Sequence, residues 1–267
     1  MASTDDKAKR REQEKLASKA AKPAKKKSEL RETIVVVIQA LLIALIFRSF
    51  AYQPFSIPTA SLQPNLMIGD YVLASKFTYG YGRYSLPMGI IPFEGRIFGN
   101  EPNRGDIAVF KPVPQDDNYI KRVIGLPGDR IQMKQGRLFI NGEMVEREMV
   151  ERTTDTDSFN TTLPVIKYRE TLPNGVSYIV QEISDTAALD NTQEYIVPEG
   201  QFFMMGDNRD RSQDSRVLSA VGFVPFDNLV GKAEVRFFSI KDNINPWFVW
   251  MWPGNVRWDR MFTSVYD

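Results

Sequence analysis

Apolar positions along this chain fall into three textures. In residues 1–32 only Leu16 and Leu30 are large and aliphatic, among many Lys, Arg, Glu and Ala. Such a segment buries too little apolar surface to offset its ordering entropy, which predicts a disordered or weakly helical tail. From Ile34 to Phe47 every residue except Gln39 is apolar. A core helix carries a polar stripe, and this stretch has none. Extended over Thr33–Tyr52, with Arg48 near one end, it reaches the length of about 20 residues that a bilayer core requires. One transmembrane helix is predicted over 33–52. The 32 residues ahead of it are too many for the short basic start of a cleaved signal peptide.

Past residue 52 the texture becomes short apolar runs punctuated by Gly, Asp, Asn and Pro. Three runs open on Gly-Asp: Gly69-Asp70, Gly105-Asp106 and Gly128-Asp129. The pair suits a turn and the residues that follow suit a strand. Asn141-Gly142 after Arg137–Ile140, and Asn174-Gly175 ahead of Val176–Val180, predict tight hairpins. No long amphipathic helical period follows the anchor. The body therefore reads as mainly β, built of coiled antiparallel sheets. Residues 146–195 are richer in Thr, Asp and Glu and read as an inserted β subdomain between denser β regions at 53–145 and 196–267. All four tryptophans, Trp247, Trp250, Trp252 and Trp258, lie near the C-terminus. They suit either a core or a surface resting at a membrane interface.

Composition narrows the chemistry. The 267 residues include no Cys and no His. That excludes disulfides, thiolate nucleophiles, Cys- or His-ligated metals and a Ser-His-Asp triad. Hydrolysis here must rest on carboxylates, Lys, Tyr, hydroxyls or an all-oxygen metal site. The net charge of +1 hides an asymmetry: residues 1–32 hold 11 basic and 6 acidic side chains, and the rest of the chain is mildly acidic. A basic flank stays on the cytoplasmic side of an apolar span. This accounts for the tail without nucleic acid.

Three polar or mixed segments carry candidate chemistry. In Pro58-Thr59-Ala60-Ser61-Leu62-Gln63-Pro64 two prolines bracket Ser61, predicting a rigid extended loop. In Tyr119-Ile120-Lys121-Arg122-Val123-Ile124-Gly125 adjacent strand residues face opposite ways, so only one of Lys121 and Arg122 points to a given face. Gly206-Asp207-Asn208-Arg209-Asp210-Arg211-Ser212-Gln213-Asp214-Ser215-Arg216 contains the 1-3-5 spacing of a calcium loop at Asp210, Ser212 and Asp214. It lacks the required Gly and the bidentate Glu, having Ser215 and Val221 there. No metal is expected, and the run suits a salt-bridged scaffold beside a site.

Together these segments resemble the bacterial type I signal peptidase family, in its Gram-negative form. The Ser61 stretch is similar to that family's nucleophile box, Arg104–Phe110 to its strand box, Tyr119–Asp129 to its lysine box, and Gly206–Arg216 to its last box. The resemblance covers residues of about 33–265 and implies a signal-peptidase-like β body. It further implies a membrane-bound serine endopeptidase that cleaves signal peptides from secretory preproteins without a cofactor. Ser61 falls at the nucleophile position and Lys121 at the general base. Thr59, where the family usually has Ser, would share an oxyanion hole with the Ser61 N–H. Ser212 would orient the lysine, and Asp214 and Arg216 would brace the site. Phe55, Ile57, Leu62, Leu66, Tyr119 and Ile120 are expected to line shallow pockets for small residues. Arg211 departs from the family's usual Asn. The implied setting is the bacterial inner membrane, near the translocation machinery, with a cytoplasmic N-terminus and a periplasmic catalytic domain. A specialised processing peptidase, such as one maturing conjugation pilin, and a non-enzymatic membrane-tethered scaffold are the competing readings.

Overall fold

The computed structural model describes residues 4–85, 95–112, 117–156, 161–241, 244 and 247–267. The chain forms two units, Met1–Arg48 and Ser49–Asp267. The first is one helix, α1 (Thr4–Phe50). It runs through the segment expected to be disordered or weakly helical, apart from residues 1–3, which lie outside the described residues. Ala, Lys, Arg, Glu and Gln dominate that segment, and they are the strongest helix formers. Within α1, Arg31–Phe50 is a 20-residue stretch of mean hydropathy 2.3, long and apolar enough to cross a bilayer. The helix stops at Phe50, two residues before the expected end, because Tyr52 already pairs in a strand.

The second unit is antiparallel β. Its strands are β1 (Tyr52–Ser56), β2 (Asp70–Ser75), β3 (Ile107–Phe110), β4 (Tyr119–Gly125), β5 (Arg130–Lys134), β6 (Arg137–Ile140), β7 (Glu143–Met144), β8 (Glu146–Thr156), β9 (Thr162–Thr171), β10 (Ser177–Glu182), β11 (Tyr195–Ile196), β12 (Gln201–Met205), β13 (Val224–Pro225), β14 (Leu229–Ser239) and β15 (Thr263–Ser264). The largest sheet has the order β1-β2-β14-β3-β4-β12-β13, with β15 on β14. The long β14 shifts register against both β2 and β3, which lets one strand curl across several neighbours. A four-stranded sheet, β11-β5-β6-β7, and a three-stranded sheet, β10-β9-β8, complete the body. The segment 146–195 thus divides: β8, β9 and β10 form their own sheet, while Tyr195 pairs with Ile131 of β5.

The Gly-Asp signals act through one local device. Asp70, Asp106 and Asp129 each donate their backbone N–H three residues back, to Met67, Asn103 and Leu126. The same Asp carboxylates accept the backbone N–H of those three residues. The preceding Gly69, Gly105 and Gly128 sit at φ 87°, 98° and 85°, a conformation that L side chains resist. Asn141 and Gly142, both at positive φ, close the β6–β7 hairpin as expected.

Core placement explains the continuous apolar runs. Phe202 and Met204 of β12 enter one cluster with Val123 and Leu229. Phe203 and Met205 enter another, with Ile124, Ile131 and Val180. A strand covered on both faces has no polar side to display. The C-terminal aromatics behave otherwise. Trp247, Trp250 and Trp258 are exposed, and only Trp252 packs inward, its ring 5.0 Å from Phe238.

Candidate active site

The Ser61 segment is not wholly extended. Ala60–Leu62 makes a single 3-10 turn, closed by the Gln63 N–H on the Ala60 carbonyl, with extended backbone at Thr59 and Gln63 on either side. The turn is anchored from beneath by Leu62 and from the side by the polar loop. Asn208 donates its backbone N–H to the Ser61 carbonyl at 3.0 Å and its Nδ2 to the Ala60 carbonyl at 3.2 Å. Strand β4 supplies the partner. Lys121, paired with Ala108 of β3, is buried, and its Nζ stands 2.5 Å from Ser61 Oγ. Thr59 Oγ1 lies 3.4 Å from the same oxygen and is exposed at the mouth.

These atoms sit in an open cleft of about 580 Å³. One wall is apolar, from Phe55, Pro58, Val109, Tyr119 and Ile120. Asp117, Asn118, Arg211 and Gln213 form polar parts of the lining. Of the six residues expected at substrate pockets, Phe55, Tyr119 and Ile120 are among the cleft lining. Ile57, Leu62 and Leu66 are not. They are buried with Val72, Ile107 and Ala233 and hold the loop onto the sheet instead. Apolar positions in so short a loop divide between cleft and core, and the larger burial lies on the core side.

Burial lowers the Lys121 amine to about 8. Desolvation is the largest cause, since a low-dielectric site disfavours the charged form. Asp214 and Asp207 oppose the shift and Arg216 adds to it. Neither carboxylate forms an ion pair with Lys121, because each is engaged elsewhere. Arg216 grips Asp214 through Nε and Nη2, both at 2.9 Å, and the Gly206 N–H donates to the same carboxylate. These contacts hold Asp214 below its usual range despite complete burial. Arg122 binds Asp207 bidentately at 2.8 and 2.7 Å and lies over the Tyr178 ring. Adjacent positions of β4 thus serve opposite faces, Lys121 toward Ser61 and Arg122 toward the scaffold.

Asp214 and Arg216 pair with each other beside the cleft, and no hydrogen bond joins Ser212 to Lys121. Ser212 is buried, and its hydroxyl faces the Asp214 carboxylate, which it helps to hold ionised, rather than Lys121. It also packs on Gly206: a Cβ at Gly206 would stand 2.2 Å from Ser212 Oγ and 2.5 Å from the Ser61 carbonyl oxygen. Only glycine fits between them. Asn65, Asp207 and Asn208 were not singled out from the sequence. Asn65 donates at 2.7 Å to both Asp207 and the Ile179 carbonyl. The signal for Asp207 and Asn208 was the Gly206-Asp207-Asn208 run itself, whose polar residues have no visible partner nearby in sequence; Asn65 carried none.

The chain has no histidine, and the cleft sets a serine hydroxyl against a buried lysine amine, the pair of groups that lysine-assisted serine hydrolysis uses. The model of the signal peptidase, peptidase S26, family matches residues 30–238. Signal peptidase I of Rickettsia akari (strain Hartford) is 41% identical over 249 residues, covering 84% of this chain and 89% of the relative. The Rickettsia typhi (strain ATCC VR-144 / Wilmington) enzyme of the same name is also 41% identical, over 84% of this chain and 90% of its own. A crystal structure of a signal peptidase I from Enterococcus faecalis V583 is 26% identical, with a TM-score of 0.29, covering 50% of this chain and 97% of its own. The chain belongs to the signal peptidase S26 family and is a serine peptidase that cleaves signal peptides.

Proposed function

We propose that Ser61 is the nucleophile and Lys121 its general base. The 2.5 Å approach of a desolvated amine to the serine hydroxyl carries this reading. In its neutral form Lys121 accepts the Ser61 proton as Oγ attacks the scissile carbonyl. The Ser61 N–H and Thr59 hydroxyl face the developing oxyanion. The lysine ammonium then protonates the departing amine of the mature chain, leaving the signal peptide as an ester on Ser61. A water, deprotonated by Lys121, hydrolyses that ester. The substrates are secretory preproteins, and the apolar wall of Phe55, Tyr119 and Ile120 suits small side chains ahead of the scissile bond.

The anchor and its flanking charge support a membrane setting for this reading. The basic tail belongs on the cytoplasmic side of a bacterial inner membrane, with the β body on the periplasmic side near the translocation machinery. Protease added outside spheroplasts should digest the body and spare the tail. In the decisive assay, the full chain in detergent is incubated with a purified preprotein. Wild type yields the shortened product, and Ser61→Ala and Lys121→Ala each yield none while remaining folded. Near-normal turnover by Lys121→Ala would sink the assignment. Turnover of wild type should rise with pH through about 8, as the amine loses its proton.

A further inference from the structure

We infer that Arg211 is a specificity-determining residue that favours an acidic over a basic side chain near the scissile bond of the preprotein. The inference deepens the reading of the Ser61–Lys121 cleft and rests on it. Arg211 lies one residue before Ser212 and lines the same cleft as Ser61 and Lys121. Its guanidinium is aimed by a contact from outside the catalytic loop: Nη1 donates to Asp155 Oδ2 of β8 at 2.6 Å. Gln181 of β10 donates to that same oxygen at 3.1 Å. The end of the β8–β9 hairpin thereby sets the position of a cation on the cleft wall.

Asp155 itself is not part of the cleft lining. Its contact with Arg211 is through one nitrogen, whereas a guanidinium offers five N–H donors in a planar fork. Arg211 Nη2 is buried and has no acceptor among the described residues. The side chain is 17% exposed, so a substrate meets the accessible edge of a guanidinium already paired with Asp155, not the buried Nη2. A carboxylate is the group whose geometry and charge best complement it, and a lysine side chain is the group it most opposes. Among the described residues the lining contains one acidic side chain, Asp117, which is exposed and comes from the segment before β4. The two opposite charges sit on separate elements, so each should act on a different substrate position.

The test uses the full chain in detergent and a preprotein series. Glu, Gln and Lys are placed in turn at each position from four residues before to three after the scissile bond. Wild type should prefer Glu to Lys by about fivefold in kcat/KM at one position, the size expected of a partly exposed charge pair. High salt should shrink that ratio. Arg211→Gln should abolish it there while cleaving the Gln substrate within about twofold of wild type, and Arg211→Lys should keep part of it. Asp117→Asn should leave that position unchanged. An equal Glu-to-Lys ratio in wild type and Arg211→Gln at every position would overturn the inference. So would an equal loss on all substrates, which would mean that Arg211 only holds the loop. Cleavage by Ser61→Ala would instead show that the cleft reading itself had failed.

Discussion

The Gly206–Arg216 loop and the C-terminal segment 247–262 invert the usual relation between hydropathy and burial. The first is almost wholly polar, yet Asp207 and Arg209 are 1% exposed and Asp214 is 0% exposed. The second is rich in aromatics, yet Trp247 is 84% exposed, Trp250 71% and Phe262 76%. Polar side chains enter the interior here because partners wait for them: Arg122 for Asp207, Glu170 for Arg209, Arg216 for Asp214. A buried charge with its partner in hydrogen-bonding contact avoids most of the desolvation penalty. The aromatic side chains of the second segment stay largely at the surface. In this molecule, burial follows available partners more closely than it follows hydropathy.

Removing one partner should break the polar half of the comparison most severely. Asp207→Ala leaves Arg122 buried without its carboxylate, and Asn65 loses an acceptor. Such a broken buried pair costs about 3–5 kcal/mol. For a body of this size that lowers the melting temperature by roughly 6 °C or more. Activity should fall with it, because Asn208 next in sequence holds the Ser61 turn. Thermal denaturation followed by circular dichroism measures the loss. The double variant Arg122→Met with Asp207→Leu should recover much of it, since a packed apolar pair often matches a buried ion pair. A single variant as stable as wild type would show that the loop is held by something other than pairing.

Beside that loop, Lys121 of β4 is a buried amine with no carboxylate bound to it among the described residues. Its amine titrates at about 8 when folded, against an ordinary value of 10.5. Between these values the unfolded chain binds more protons than the folded one, so stability from this group rises with pH across the window. Below about 8 the penalty is present in full, on the order of 3 kcal/mol. Lys121→Met should therefore be inactive and yet more stable than wild type at neutral pH. The gain should vanish as pH approaches 10.5. Denaturant titrations at several pH values would reveal it, and a Met variant less stable than wild type at pH 7 would contradict the cause given for the shift.

What was legible in the sequence was local or carried by motif. The three Gly-Asp turns close within four residues, so their partners are visible in the chain itself. Ser61 and Lys121 were marked by the boxes around them, not by any computable proximity, since 60 residues separate them. The polar scaffold was harder. Asp207 meets Arg122 across 85 residues and Asn65 across 142. At such separations only the folded sheet brings partners together, and a solvated loop and a buried network look alike. Ile57, Leu62 and Leu66 failed for a related reason. A loop with no regular period does not reveal which of its apolar side chains faces the core.

The aromatic half of the comparison is sharpened by a contrast between two tryptophans of the same segment. Trp252 packs at 5.0 Å on Phe238 of β14, and an aromatic pair contributes about 1 kcal/mol beyond the area it buries. Trp258 is 59% exposed, and surface substitutions usually stay within about 0.5 kcal/mol. Trp252→Ser should therefore lower the denaturation midpoint measurably while Trp258→Ser leaves it nearly unchanged. Equal, large losses would mean that the exposed aromatics support the fold after all. The expected unequal outcome means that Trp258 is dispensable for stability, which leaves its exposed ring free for a role at a surface.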